Sequence, residues 1–294
     1  MDIVFAIIIG ITGSSVVHLS KGLMKLGIQR SKVPELHHRA GKTRTIYLTG
    51  VVLNFSAPVW IMVANLFASP VVYSSMYASG LLALLVFSRY VLHEHLHPRQ
   101  IVGAFVTVSG TAALGLAEFH YGSLSLTLAQ INPLLAIVAA WIIGGFLIAV
   151  LTRTIRVTVQ ELFFGLAAGG FAALDALLKG VAQRSGVSAR FIPGPGPALI
   201  VLAGSFLVAG LAFAFIQWSY LRHCRASIMG IAYDMSFVAL PILTYSILIP
   251  GYRLSLLSGG GLILLGIGVV LIASGPLPAV APVVPDSAGR SVQA

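Results

Sequence analysis

The sequence predicts an all-α integral membrane fold: nine transmembrane helices in two inverted repeats of four, joined by a connector helix. Three observations predict it. The first is composition. Of 294 residues, 57% are apolar and 9% charged, against a soluble norm of about 45–50% and about 25%. So few charges cannot cover a water-soluble surface, which excludes a soluble enzyme, a disordered chain and a nucleic-acid-binding domain. The second is a series of nine apolar runs, each near the roughly 20 residues that a spanning helix needs. The third is self-similarity at a shift of 158 residues, with no gap.

The nine spans run Asp2–Lys25, Thr45–Phe67, Ser69–Tyr90, Arg99–Glu118, Asn132–Leu151, Gln160–Gln183, Pro197–Leu221, Ala226–Ile249 and Leu254–Ser274. The first has no basic leader and no small-residue cleavage site, so it reads as a span and not as a removed signal. Pro70 and Pro133 sit near span starts, where a missing N–H costs least. Ile192-Pro-Gly-Pro-Gly-Pro197 cannot continue a helix and is a connector. Residues 275–294 are Pro-, Ala- and Val-rich without a period and are expected to be a disordered cytoplasmic tail. The domain plan is then a first repeat over 1–120, a connector span over 130–152 and a second repeat over 160–274.

The net charge of +10 is a topological signal. With the N-terminus outside, fourteen of the eighteen Lys and Arg fall on the inner side, among them Lys42, Arg44, Arg153 and Arg225. Only Arg184, Arg190 and Arg253 fall outside, and Lys179 lies within a span. This places the chain in a cell inner membrane with its C-terminus cytoplasmic. Cys224 is the single cysteine, so no disulfide can form within the chain.

The 158-residue shift carries Lys21-Gly22 onto Lys179-Gly180, Trp60 onto Trp218, Ala68-Ser69 onto Ala226-Ser227, and Gly103 and Gly110 onto Gly261 and Gly268. Lys and Trp are rare here, so their matches weigh most. The first span lands on the sixth. A displacement of five spans is odd, so the halves face opposite ways across the membrane. Inverted repeats are the architecture of many secondary transporters, with the substrate near the midplane between the halves.

Ionisable groups within a bilayer are costly and tend to mark function. Of the eight acids, Asp2, Glu35, Glu94, Glu118, Glu161 and Asp286 fall in loops, tails or span ends, and only Asp175 and Asp234 are deep. Lys179 follows Asp175 by four residues on the same helix face, either as a charge switch or as a self-neutralised structural pair. Lys21, its symmetry mate, is read as snorkelling from a helix end. Asp234, beside Tyr233, has no evident basic partner. It must be paired across helices, hydrated or protonated. Asn54, Gln217, Tyr73, Tyr77 and Tyr233 either line a polar path or tie helices together. Ser69 and Ser227 precede or open helices and read as N-caps. His93-Glu-His-Leu-His97 and the His37-His38 pair lie in short loops, as polar turns or weak metal sites. No nucleophile elbow, phosphate-binding loop or zinc-protease motif occurs, so no catalytic residue and no cofactor is expected.

From Gly10 to Ala273 the chain also resembles the drug/metabolite transporter superfamily, within it the NIPA-like magnesium transporter group. The resemblance rests on Lys21-Gly22, on Gly50-Val-Val-Leu-Asn54-Phe55 against a G-E-x-x-N-F element, and on Ala68-Ser-Pro70. It continues with Leu92-His-Glu94-His-Leu96, Lys179, Gln217-Trp-Ser-Tyr220-Leu221 and Ala232-Tyr233-Asp234. It implies transport of a divalent cation such as Mg²⁺. Val51 stands where that group has an acid, which removes one hard oxygen ligand.

The expectation is therefore a transporter working by alternating access, with Asp234, Tyr233, Asp175, Lys179, Asn54, Gln217 and Tyr73 around the solute. The alternatives are carriage of a small organic, anionic metabolite, since Lys21 and Lys179 are both available, and a non-transporting membrane accessory subunit. The partners expected are a small solute and the lipid bilayer, with no nucleic acid, in a monomer or a homodimer.

Overall fold

A computed structural model describes residues 2–31, 40–94, 96–118, 126–152, 155–185, 189–194, 196–274, 284–285 and 291–292. The described chain is all-helical apart from a two-residue antiparallel bridge, Val284–Pro285 with Ser291–Val292. The helices are α1 Asp2–Ser31, α2 Ala40–Asn54, α3 Ala57–Phe67, α4 Pro70–Tyr77, α5 Gly80–Tyr90 and α6 Pro98–Glu118. They continue as α7 Ile131–Leu151, α8 Val157–Gln183, α9 Gly196–Leu221, α10 Ala226–Leu248 and α11 Leu256–Ala273. The rest of the tail expected to be disordered lies outside the described residues.

Among the described residues, eight helical segments are long and apolar enough to cross a membrane, counting α2–α3 and α4–α5 as one segment each. The ninth expected span forms α11, a shorter apolar helix. At 1.5 Å per residue its 18 residues reach about 27 Å, just under a hydrocarbon core of about 30 Å. The bundle is turned inside out relative to a soluble protein. Leu207, Ile143 and Ile247 are exposed, while Lys21, Lys179, Asp234 and His18 are fully buried.

The second and third expected spans, Thr45–Phe67 and Ser69–Tyr90, each correspond to one membrane-length segment interrupted by a turn. Helical order lapses at Phe55–Ser56 and again at Ala78–Ser79. The first break precedes Pro58, which has no N–H to give. The Ser56 hydroxyl caps the Leu53 carbonyl at 2.6 Å, and the Ser79 hydroxyl caps that of Met76 at 2.7 Å. The second break frees the Gly80 N–H and the Tyr77 carbonyl. Ser14 of α1 takes up both: its Oγ accepts from Gly80 N at 3.1 Å and donates to Tyr77 O. Lipid offers no partner to a freed backbone group, so a helix can break at this depth only where a neighbour supplies one.

The core is built on α8 and α10, the two most enclosed helices, packed along each other. A Cβ on Gly169 of α8 would collide with the Tyr233 backbone of α10, so only glycine permits this approach. Around them, α1 packs on α2–α3 and α4–α5, and α9 packs on α8. At one side α6 lies along α11. A Cβ on Gly110 would stand 2.8 Å from the Gly261 carbonyl, so the absence of a side chain there lets the two helices approach closely.

Candidate functional site

A cavity of about 180 Å³ opens between α1, the α2–α3 break, α8, α9 and α10. At roughly 30 Å³ per water it holds about six waters. Its walls are mostly apolar, from Val17, Ile61, Phe206, Phe213 and Phe237, and its polar atoms come from Asn54, Tyr77, Asp175 and Tyr233. Few polar groups on an apolar wall is the usual make-up of a small-molecule site.

The structure brings Asn54, Asp175 and Tyr233 of the expected set onto this cavity. Asn54 sits at the end of α2, where its side-chain oxygen accepts from Ser20 Oγ at 3.4 Å. Asp175 and Lys179 pair within α8 as their spacing predicts, with the ammonium also 4.4 Å from the centre of the Phe206 ring. Tyr73 is buried behind the cavity against Tyr77 and Phe237, and its hydroxyl has no hydrogen-bond partner. Gln217 lies elsewhere. It accepts from the Tyr47 hydroxyl at 3.1 Å and donates to Met24 Sδ at 3.1 Å, tying α9 to α1 and α2.

Asp234 is paired across helices. Its two carboxylate oxygens each lie 2.9 Å from His18 Nε2 of α1, and both side chains are fully buried. The other ring nitrogen, Nδ1, lies 2.8 Å from the Ser14 carbonyl and 3.2 Å from Ser14 Oγ. Ser14 thus joins the Asp234–His18 pair to the break between α4 and α5. Sequence reasoning passed over His18, although it is the one histidine of eight that falls within an expected span.

Lys21 does not snorkel. Its ammonium is fully buried within the bundle, and α1 continues ten residues past it to Ser31. It stands 3.3 Å from the centre of the Tyr233 ring and 5.4 Å from that of Tyr77, in electrostatic contact with Asp234 and without a hydrogen-bond acceptor.

Two acids assigned to loops or span ends prove to be buried clamps. Glu94 accepts from the N–H groups of Ala226 and Ser227 at 3.1 and 3.4 Å and from Ser227 Oγ at 2.5 Å. A carboxylate from another segment therefore caps α10, a task the sequence suggested for Ser227 itself. Ser69, read the same way, makes no side-chain cap bond to α4. Glu161 grips Arg225 at 2.9 Å, and Lys25 of α1 donates to the Cys224 carbonyl. The α9–α10 loop is thereby tied to three other elements. The far ends of α3 and α8 are tied as well. Asn65 donates to Gln183 Oε1 at 3.1 Å, Gln183 donates to the Met62 carbonyl at 3.1 Å, and Arg184 donates to the Asn65 carbonyl at 3.2 Å.

His95, His37 and His38 of the weak metal readings lie outside the described residues. Among the described residues no three His, Cys, Asp or Glu gather closely enough to hold a metal ion. No protein-family model, no curated protein and no solved structure matches this chain.

Proposed function

We propose that this protein is an integral membrane transporter that carries a small solute by alternating access between two inverted repeats. The observation that carries the reading is the cavity itself. It lies beside an interrupted helix, is floored by Asn54, Asp175, Tyr77 and Tyr233, and is backed by charges too deep to serve solubility. An interrupted helix beside a pocket that carries a few polar groups suits a solute path through lipid, where only unpaired backbone and buried polar side chains can replace water.

The packing agrees with the repeat. The 158-residue shift carries the pairing of α1 with α2–α3 onto that of α8 with α9, and the pairing of α1 with α4–α5 onto that of α8 with α10. It also carries Lys25 onto Gln183. These two residues each fasten one end of the bundle, at the Cys224 carbonyl and at Asn65 with Met62. Matching ties at opposite ends are what a machine that opens to one side at a time needs. By the charge bias the Lys25 tie faces inward and the Gln183 tie outward.

Between the two solute classes, the side chains favour the organic anion. Asp175 is neutralised by Lys179, and Lys21 is an ammonium with no acceptor. A magnesium path would need several hard oxygen ligands. A thermal-shift screen of purified protein over divalent cations, carboxylates, phosphorylated metabolites, amino acids and nucleobases tests this, followed by uptake of each hit into proteoliposomes. Stabilisation and uptake of an anion support the reading. A hit that binds but never crosses refutes transport and leaves an accessory subunit.

A further inference from the structure

We propose that the His18–Asp234 pair is a proton-binding site linked to anion binding at Lys21, so that an anionic solute crosses together with one proton. This rests on the transport reading above and names its substrate class and coupling ion.

The donors and acceptors around His18 set where its hydrogens lie. Ser14 Oγ has one hydrogen, and it goes to the Tyr77 carbonyl, because the oxygen already accepts from Gly80 N. His18 Nδ1 faces the Ser14 carbonyl at 2.8 Å, an acceptor only, so Nδ1 must carry a hydrogen. His18 Nε2 faces both carboxylate oxygens at 2.9 Å. A bare Nε2 lone pair cannot face an ionised carboxylate at that distance. One further proton must therefore lie between them, on Nε2 or on the carboxyl. In this arrangement the pair is neutral with its proton bound.

The second step is the charge of the surroundings. Lys21, Tyr77 and Tyr233 are in electrostatic contact with Asp234. From α8 come Asp175 and Lys179, which cancel, and Glu161, which is held by Arg225. From the α5–α6 loop comes Glu94, engaged at the start of α10. Arg89 and Tyr90 of α5 and Arg99 and Glu118 of α6 lie at helix ends, and α7 and α11 carry no titratable residue. On α1, Lys25 is also buried and donates to the Cys224 carbonyl, whereas Lys21, with the proton bound, has neither a counter-ion nor an acceptor of its own. An anion against Lys21 supplies the missing negative charge. With no anion, releasing the proton leaves Asp234 as the counter-ion of Lys21. A buried interior penalises net charge heavily, so each ligand favours the other's binding. No covalent bond of the solute changes. The proton enters from solvent to the His18–Asp234 pair and leaves from it when the solute leaves.

The third step is the link to conformation. Ser14 gives His18 Nδ1 its acceptor and also holds the two backbone groups freed at the α4–α5 break. Reorienting the imidazole as the proton departs disturbs the serine that stabilises that break, so the proton's state reaches the third span directly.

The test uses the purified full-length protein in weakly buffered detergent solution with a pH-indicator dye. The probes are the sodium salts of phosphate, lactate and glutamate, with magnesium chloride and glycerol as cationic and uncharged controls. Expected is uptake of about one proton per bound anion, and an anion dissociation constant that rises about tenfold per pH unit once the pair has lost its proton. Asp234→Asn fixes the neutral state, so it should bind the anion without proton uptake and without that pH slope. Lys21→Gln should lose anion binding. Anion binding by wild type with no proton uptake overturns the proposal and leaves the transport reading standing. Binding of only magnesium or glycerol does the same. Binding of no probe, with no uptake into proteoliposomes, overturns both.

Discussion

Removing one half of the Asp175–Lys179 pair tests whether it holds the fold or serves the site. The Lys179 and Asp175 side chains are 0% and 4% exposed, so neither has water to turn to. In Asp175→Asn the amide oxygen can still meet the ammonium, but the charge that neutralised Lys179 is gone. Breaking a buried ion pair from one side costs about 3–5 kcal/mol. At about 2 °C per kcal/mol for a chain of this size, the melting temperature should fall by roughly 6–10 °C. Asp175→Leu combined with Lys179→Met removes both charges and keeps the volume apolar. It should recover most of that loss, because a buried pair is about as stable as, or less stable than, well-packed hydrophobic replacements. Tryptophan-fluorescence melts in detergent, paired with proteoliposome uptake, read the two roles separately. If the single variant melts like wild type, Lys179 is not held by Asp175 and the charge count around the cavity fails. If the double variant is as unstable as the single one, the loss comes from packing and not from stranded charge.

The remaining predictions concern the ends of the bundle and its packing. The Cys224 thiol is buried and pushed up to about 12 by burial and by Glu161. Maleimide should therefore leave folded protein unlabelled at neutral pH, with reactivity appearing only as the solution becomes strongly alkaline or the protein unfolds. In a Cys224→Ser background, Arg190→Cys and Lys42→Cys should label with an impermeant maleimide from outside and inside respectively, and same-side labelling would sink the inverted-repeat reading. A cysteine at Ala209 on the cavity wall should become reactive from the inner side when Lys25→Ala is added and from the outer side when Gln183→Ala is added. Equal effects of the two would refute the assignment of opposite ties. Gly110→Val should lower the melting temperature by several degrees by pushing α6 off α11, and an unchanged melt would refute that contact.

The parts that were legible in the sequence are those in which one residue type carries one physical meaning. Long apolar runs located the helices, and the spacing of Asp175 and Lys179 fixed their pairing, because i and i+4 share a helix face whatever the fold. The breaks in the second and third spans were harder to see. Ser79-Gly80 and the approach to Pro58 are weak signals locally, and what makes a break affordable in lipid is Ser14, sixty-six residues before Gly80. The partner of Asp234 was out of reach for a like reason, since His18 lies 216 residues away.

Misreading Lys21 shows how one element boundary propagates into function. Ending α1 at Lys25 puts the ammonium one turn from the interface, where snorkelling is free. The helix continues to Ser31, and the ammonium is fully buried among other helices. There it faces the Tyr233 ring and Asp234, not headgroups. Lys21 and His18 are three residues apart on α1, so the face that turns one toward Tyr233 also sets the other against Asp234. The proposed anion contact and the proposed proton site therefore share one face of α1.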